Sequence, residues 1–276
     1  MDQTVIVRYG LMCNVGRFLL KNSSVKMLDK VIIRTDRGVE WGQTITVPEQ
    51  RGEDDSRPLN GEVLRKAKEG DYIKQQKLEE EVVPEELRSC KGMIERHNLP
   101  MRLVSVEHLY GGNKIIFYFL ADGRVDFRRL VKDLAKQYQT RIEMRQIGVR
   151  DEARLLADFE HCGRELCCRT FIKNLEPVTM KMAKNQKATL DPSKISGRCG
   201  RLMCCLRFED CIYEELKKDL PQRGSKVETP DGPGTVLDYD ILKQTLLVDL
   251  VGGKRVNVSR SEVRRTGKRR KSREKK

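Results

Sequence analysis

Six of the nine cysteines fall in a ten-residue phrase that occurs twice. Cys162-Gly163-Arg164-Glu165-Leu166-Cys167-Cys168-Arg169-Thr170-Phe171 returns 37 residues later as Cys199-Gly200-Arg201-Leu202-Met203-Cys204-Cys205-Leu206-Arg207-Phe208. The shared frame is C-G-R-x-[L/M]-C-C-x-x-F, and Cys211 follows closely. Thiolates take soft or borderline metals, so zinc and iron–sulfur clusters are the candidates. Structural zinc favours cysteine pairs about two to four residues apart, and the gap here lies at that edge. A C-x4-C spacing also occurs in plant-type ferredoxins. Six clustered cysteines exceed what one zinc ion needs, and vicinal side chains rarely both reach one small ion. Gly163 and Gly200 follow the first cysteine of each copy, where a missing Cβ lets backbone amides approach sulfur. Arg164 and Arg201 can offset thiolate or cluster charge. This chemistry points first to an iron–sulfur cluster and second to zinc. Reversible dithiol redox and metal-free thiols remain open, although the absence of C-x-x-C weakens a thioredoxin-like reading.

Other chemistry is sparse. The chain has no P-loop, G-x-G-x-x-G, G-x-S-x-G or H-E-x-x-H motif. Among three histidines, His161 adjoins Cys162 and is either a ligand or a loop residue. Cys90 and His97 share an apolar helical stripe and are expected in a core, as is the isolated Cys13. No catalytic residue is assigned, and a non-enzymatic protein is expected.

The net charge is +14 over 276 residues. Residues 264–276 hold nine basic side chains and one acid, so a tail expected to be disordered carries +8 of that total. Such a tail attracts polyanions in a salt-dependent way. The longest apolar run, Ile115 to Ala121, has seven residues, against about 20 for a membrane helix. With no basic segment leading into an apolar core at the N-terminus, a cytoplasmic location is expected. Disulfides are rare there.

These features must be positioned by short elements. Residues 1–47 read as a small-β module with Trp41 as a core residue, followed by a polar linker over 48–58. Asn60 is expected to cap a short helix carrying Val63, Leu64 and Ala67, and Asp71 a second helix to about Val82. Pro84 suits the start of a third. Strands at Leu103–Leu109 and Lys114–Ala121 flank the Tyr110-Gly111-Gly112-Asn113 turn. Asp126 is expected to cap an amphipathic helix, and Thr140–Ile147 to close the unit as a strand. The whole predicts an α+β protein: an αββαβ layer over 59–147, the cysteine-rich segment over 148–213, and an SH3-like small β-barrel over 222–263.

Long stretches resemble the bacterial YaaT/RicT family. They are Cys162 to Cys168, Pro177 to Gln186, Lys194 to Cys205, His97-Asn98-Leu99-Pro100-Met101, Ala121 to Arg128 and Arg145 to Glu152. The resemblance spans most of residues 60–264 and implies a polymerase-suppressor (PSP) C-terminal domain over roughly 59–147. It implies a cytoplasmic regulatory subunit without known catalysis, assembled with two small helical partners, RicA and RicF. Such a complex bears [4Fe-4S] clusters, supports ribonuclease Y in messenger RNA maturation, and influences phosphorelay signalling, competence and sporulation. Cluster ligands carried over are Cys162, Cys167, Cys168, Cys199 and Cys204, with Cys205 and Cys211 of weaker standing. The chain departs from relatives in Pro84, which falls inside what looks like a longer helix there, and in its basic tail. The alternative from a different class is a zinc-stabilised RNA-binding module using the β-barrel and basic tail.

Overall fold

A computed structural model describes residues 3–21, 24–52, 55–156 and 159–265. The basic tail beyond Arg265 therefore lies outside the described residues. The chain divides into two units, Met1–Lys173 with Arg198–Gly200, and Asn174–Gly197 with Arg201–Lys276.

The first unit begins with β1 (Gln3–Tyr9), β2 (Asn14–Leu20), β3 (Lys30–Arg34), β4 (Val39–Thr44), β5 (Glu49–Gln50) and β6 (Gly61–Lys66). Their order is β2-β6-β3-β4-β1-β5, and β1 also pairs with β2. Five strands thus close a ring with β5 attached at the side. Alternate residues face inward, so Val5, Val7, Phe18, Leu20, Val31, Ile33 and Val63 form one core.

The expected helix after Asn60 is instead strand β6, inserted parallel to β2 and antiparallel to β3. Only Val63 of its side chains is buried, which satisfies a strand's alternation and leaves no helical stripe. Asn60 does not cap a helix. Its Oδ1 accepts from Arg17 N at 2.9 Å and its own N donates to Arg17 O at 2.8 Å. The polar stretch before it is also tied down, because β5 pairs with β1 and Asp55 meets Arg17 at 2.5 Å. Gly61 makes the insertion possible. Its φ is +149°, and a Cβ there would stand 1.9 Å from Arg34 O and 3.2 Å from the Phe18 ring. Gly61→Ala is accordingly expected to cost at least about 2 kcal/mol, read as a lower urea midpoint with an unchanged slope.

Helix α1 (Glu69–Lys77) runs through a π-helical turn, Leu78–Val82, into α2 (Val83–Arg96). The two predicted helices are therefore continuous across Pro84. Proline removes an amide donor and crowds the preceding turn, and a widened turn just ahead of it accommodates both. Asp71 sits inside the first turn of α1 rather than at its cap. It accepts from Lys68 N at 2.7 Å, from the Arg65 guanidinium and from Tyr110 OH. Those donors, the Arg65 guanidinium above all, hold its carboxyl well below the usual range.

The layer that follows matches the expected order. It comprises β7 (Arg102–His108), β8 (Lys114–Leu120), α3 (Arg128–Tyr138) and β9 (Arg141–Gln146). β8 is central, antiparallel to β7 and parallel to β9. Asp126 lies one residue before the helix cap, Phe127, and its Oδ1 accepts from Arg128 N at 3.2 Å. α2 and α3 cover one sheet face, with Cys90, Met93, Ile94, Leu130 and Leu134 against Val106, Ile115 and Phe117. The other face buries Ile116 and Tyr118 with Met12 and Leu155. Leu155 belongs to α4 (Val149–Leu156). Burial on both faces explains the unbroken apolar run of β8. Cys90 is fully buried, and burial pushes its thiol up to about 12. His97 is not core: its Nε2 is 2.8 Å from Asp133 Oδ2. The unit's last helix is the single turn α5 (Cys167–Thr170).

The second unit contains α6 (Met180–Asn185), α7 (Pro192–Ile195) and α8 (Cys204–Lys218). This stretch has a small core of Ala183, Ile195 and Leu206. After it come β10 (Lys226–Thr229), β11 (Gly232–Asp240), β12 (Thr245–Leu250), β13 (Arg255–Ser259) and β14 (Arg264–Arg265), in the order β13-β12-β11-β10-β14. Every pairing in this sheet is antiparallel. Val227, Val236, Leu246 and Val248 fill its interior. The molecule is thus mixed α and β with several small sheets. No helix among the described residues is long and apolar enough to cross a membrane.

Candidate metal centre

The sequence repeat is also a repeat of hydrogen bonds. In the first copy Phe159 and Glu165 form an isolated antiparallel bridge, and Glu160 N donates to Arg164 O at 2.9 Å. In the second, Ser196 and Leu202 form the bridge, and Gly197 N donates to Arg201 O at 2.9 Å. Each pair is displaced by the same 37 residues that separate the phrases. Gly163 and Gly200 occupy the turn apices with φ of +75° and +71°. Left-handed backbone favours glycine, and among the described residues, chain neighbours aside, nothing lies within 4 Å of where either Cβ would stand. The phrase therefore needs its glycines for the turn.

Each turn feeds a helix whose first two residues are the vicinal cysteines, α5 at Cys167 and α8 at Cys204. Leu166 and Met203 precede them, and their carbonyls accept from Arg169 N at 2.9 Å and Leu206 N at 3.2 Å. Successive helical side chains point about 100° apart, so the two sulfurs of a pair diverge. Cys168 is buried while Cys167 is half-buried, and Cys162 is exposed. Cys204 and Cys205 are half-buried. Burial, then Glu209 and Cys204, push the Cys205 thiol up. The copies differ beyond this point: α5 ends after four residues and α8 runs for fifteen.

The tip Arg198–Gly200 groups with the first unit. Arg198 N donates to Glu160 Oε2 at 3.1 Å, and Arg198 Nε to Phe159 O at 3.3 Å. Four of the six phrase cysteines, Cys162, Cys167, Cys168 and Cys199, thus belong to one unit, and Cys204 and Cys205 belong to the other. Among the described residues no three His, Cys, Asp or Glu side chains converge as a metal site. The donor set nonetheless fits a thiolate-ligated centre in type and number, since a [4Fe-4S] cluster takes four cysteines. His161 is exposed, with Nε2 3.6 Å from Glu160 Oε1. Cys211 is exposed, and its thiol donates to Phe208 O at 3.5 Å.

Sequence reasoning missed a second feature of the first unit, a cleft of about 570 Å³ lined by Arg8, Lys30, Trp41, Glu107, Tyr110 and Arg169 among others. Trp41 is a cleft wall rather than a core residue. It is half-buried, with its ring 5.0 Å from that of Tyr72. Beside the cleft, Arg37 Nη2 donates to Glu40 Oε2 and to Glu107 Oε1, each at 2.7 Å. Glu107 also accepts from Tyr118 OH at 2.6 Å and Leu11 N at 2.8 Å. A charged residue inside each apolar strand, Glu40 in β4 and Glu107 in β7, was the available signal.

The middle of the chain defines a class. Residues 61–147 match the PSP1 C-terminal conserved region, and residues 177–220 match the third domain of PSP1-like proteins. Over 229 residues the chain is 47% identical to the stage 0 sporulation protein YaaT of Bacillus subtilis (strain 168), covering 82% of each chain. It is also 30% identical over 150 residues to an uncharacterized protein of Schizosaccharomyces pombe, covering 44% of this chain and 20% of that one. No solved structure matches. The chain belongs to the YaaT family of PSP1-domain proteins.

Proposed function

We propose that this protein is a non-enzymatic cytoplasmic regulatory subunit whose doubled knuckle holds a [4Fe-4S] cluster. The ligands are drawn from Cys162, Cys167, Cys168, Cys199 and Cys204, with Cys205 as a further candidate. The observation that carries the reading is the tie of the Cys199 tip to Glu160 and Phe159 of the first knuckle, which gathers four thiols in one unit. Gly163 and Gly200 shape the turns that present Cys162 and Cys199, and Arg164 and Arg201 supply positive charge beside the thiolates. A bound cluster contributes an electron-transfer couple whose potential responds to charge, hydrogen bonds and exposure.

The likeness to a stage 0 sporulation protein supports a regulatory role. In this reading the chain joins RicA-like and RicF-like small helical proteins in a complex that modulates ribonuclease Y-dependent messenger RNA maturation and phosphorelay signalling. The C-terminal sheet, read as an SH3-like barrel, is a presentation module. Anaerobic purification is expected to give brown protein with iron and sulfide in equal amounts. Colourless protein carrying zinc alone, including after co-expression with partners, overturns the cluster and favours a zinc-stabilised module.

A further inference from the structure

Strand β7 has an open edge. It pairs with β8, and no strand lies on its other side among the described residues. Leu109 N donates to Lys114 O at 3.0 Å. Residues of an antiparallel ladder alternate in direction. Glu107 and Ser105 therefore also turn their main-chain groups to β8, whereas Val106 and His108 turn theirs outward. Among the described residues those outward N–H and C=O groups have no hydrogen-bond partner. Val106 is 2% exposed, and a main-chain group withheld from water without a partner is costly. The His108 ring is committed elsewhere, with Nδ1 2.7 Å from Glu86 Oε1.

This edge runs along the cleft, whose lining includes every residue from Ser105 to Tyr110. One wall is the π-helical turn and the start of α2, through Leu78 and Val83. The other lies on the Glu107 side, where Leu11 N donates to Glu107 Oε1 at 2.8 Å and Cys13 and Glu165 join the lining. An open edge invites indiscriminate pairing and is usually blunted by charge. At the far edge of the same sheet β9 follows that rule with Arg141, Glu143 and Arg145. The open positions of β7, Val106 and His108, are instead sheltered in the cleft. Counting Arg37 beside it, the cleft sets four cations against four acids. Its charge selects neither a polyanion nor a polycation.

We propose that the cleft takes an extended, uncharged peptide segment of a partner protein, which adds as a strand beside Val106 and His108. A peptide main chain offers donors and acceptors together at the two-residue repeat these positions set. Strand addition draws affinity from the main chain and selectivity from alternate side chains. Apolar side chains of the guest face Leu78 and Val83, and small polar ones face Cys13 and Glu165. The cleft volume of about 570 Å³ falls within the usual range of ligand sites, about 300–1,000 Å³. The site uses none of the six phrase cysteines.

Full-length protein is exposed to a pooled library of capped hexapeptides, with Thr at odd positions and Val, Ile, Leu or Phe at even ones. Bound members are expected to slow exchange of the Val106 and His108 amides at least about tenfold. The Glu107 amide, already in the ladder, should be unchanged. Methylating alternate amide nitrogens of a bound peptide removes the donors of one edge at a time. One set is expected to weaken binding at least about tenfold, the loss of two net hydrogen bonds, and the other to be tolerated. Leu78→Arg keeps a good helix former. With its thermal midpoint unchanged, it is expected to weaken binding at least about fivefold through lost apolar contact. Iron per chain should not change in this variant, so failure of this site and failure of the cluster are separable. The proposal is overturned if no library member binds, if the two methylated sets bind alike, or if Val106 and His108 stay unprotected. Protection that rises with protein concentration in the absence of peptide assigns the edge to a second copy. Protection lost on removing Thr266–Lys276 assigns it to the tail, and either result also overturns the proposal.

Discussion

Serine at Cys199 is expected to strip the protein of most of its iron. Cys162→Ser and Cys167→Ser should do the same, whereas Cys211→Ser and Cys90→Ala should retain it. The reason is placement. Cys199 stands at the tip that Arg198 fastens to Glu160 and Phe159, in the same unit as Cys162, Cys167 and Cys168. Losing one of four thiolates removes a quarter of the anionic donors, and a hydroxyl is a poor substitute for a soft ion. Cys90 lies in the core against α3 and the sheet, so its change is expected to reduce stability and leave metal untouched. The measurement is iron and sulfide per chain after anaerobic isolation, with assembly of co-expressed partners as a second readout. Full iron in all three serine variants sinks the cluster assignment.

Arg37→Met is expected to lower unfolding free energy by about 3–5 kcal/mol, the usual cost of stranding a buried charge. Against a typical total of about 5–15 kcal/mol, this brings the first unit close to unfolding. Glu40 and Glu107 are 2% and 9% exposed, and both depend on the one guanidinium. The effect carries a pH signature. Burial raises the Glu40 carboxyl above its ordinary 4.5, while Arg37 and Thr35 oppose that rise. A group raised on folding favours the folded state below its unfolded value, and that contribution is lost as pH rises through the folded value. Removing Arg37 pushes the folded value higher still. The variant should therefore be less destabilised near pH 5 than near pH 8, as denaturant titrations at the two pH values would report. Adding Glu40→Gln should restore part of the loss at pH 8 and little near pH 5. A flat pH profile would remove the carboxylate explanation.

The sequence was most legible where one physical signal dominated. The apolar run of β8 reflects burial on both faces, and the amphipathic stripe of α3 reflects burial on one. The cysteine knuckles were visible because a repeat of residue types became a repeat of backbone bonds. Their unequal helices were not, since α5 and α8 begin with the same two residues and diverge only afterwards. Strand β6 was misread because Asn60 is equally suited to a helix cap and to bridging Arg17. The choice was made by a gap between β2 and β3 that local sequence does not encode. The Trp41 cleft was invisible for a related reason: Arg8, Lys30, Trp41 and Tyr110 come from separate strands and a hairpin.

The ring that β6 completes has a consequence for synthesis. Chain released from the ribosome as far as residue 60 possesses only four of the five staves, with β2 and β3 each presenting a bare edge of amides and carbonyls. Closure waits until Lys66 has emerged, so the nascent module cannot finish folding ahead of the region that follows it. A protease nick between residues 50 and 58 in finished protein would leave the last stave held by non-covalent pairing alone, and a fragment ending there is a candidate for edge-to-edge association.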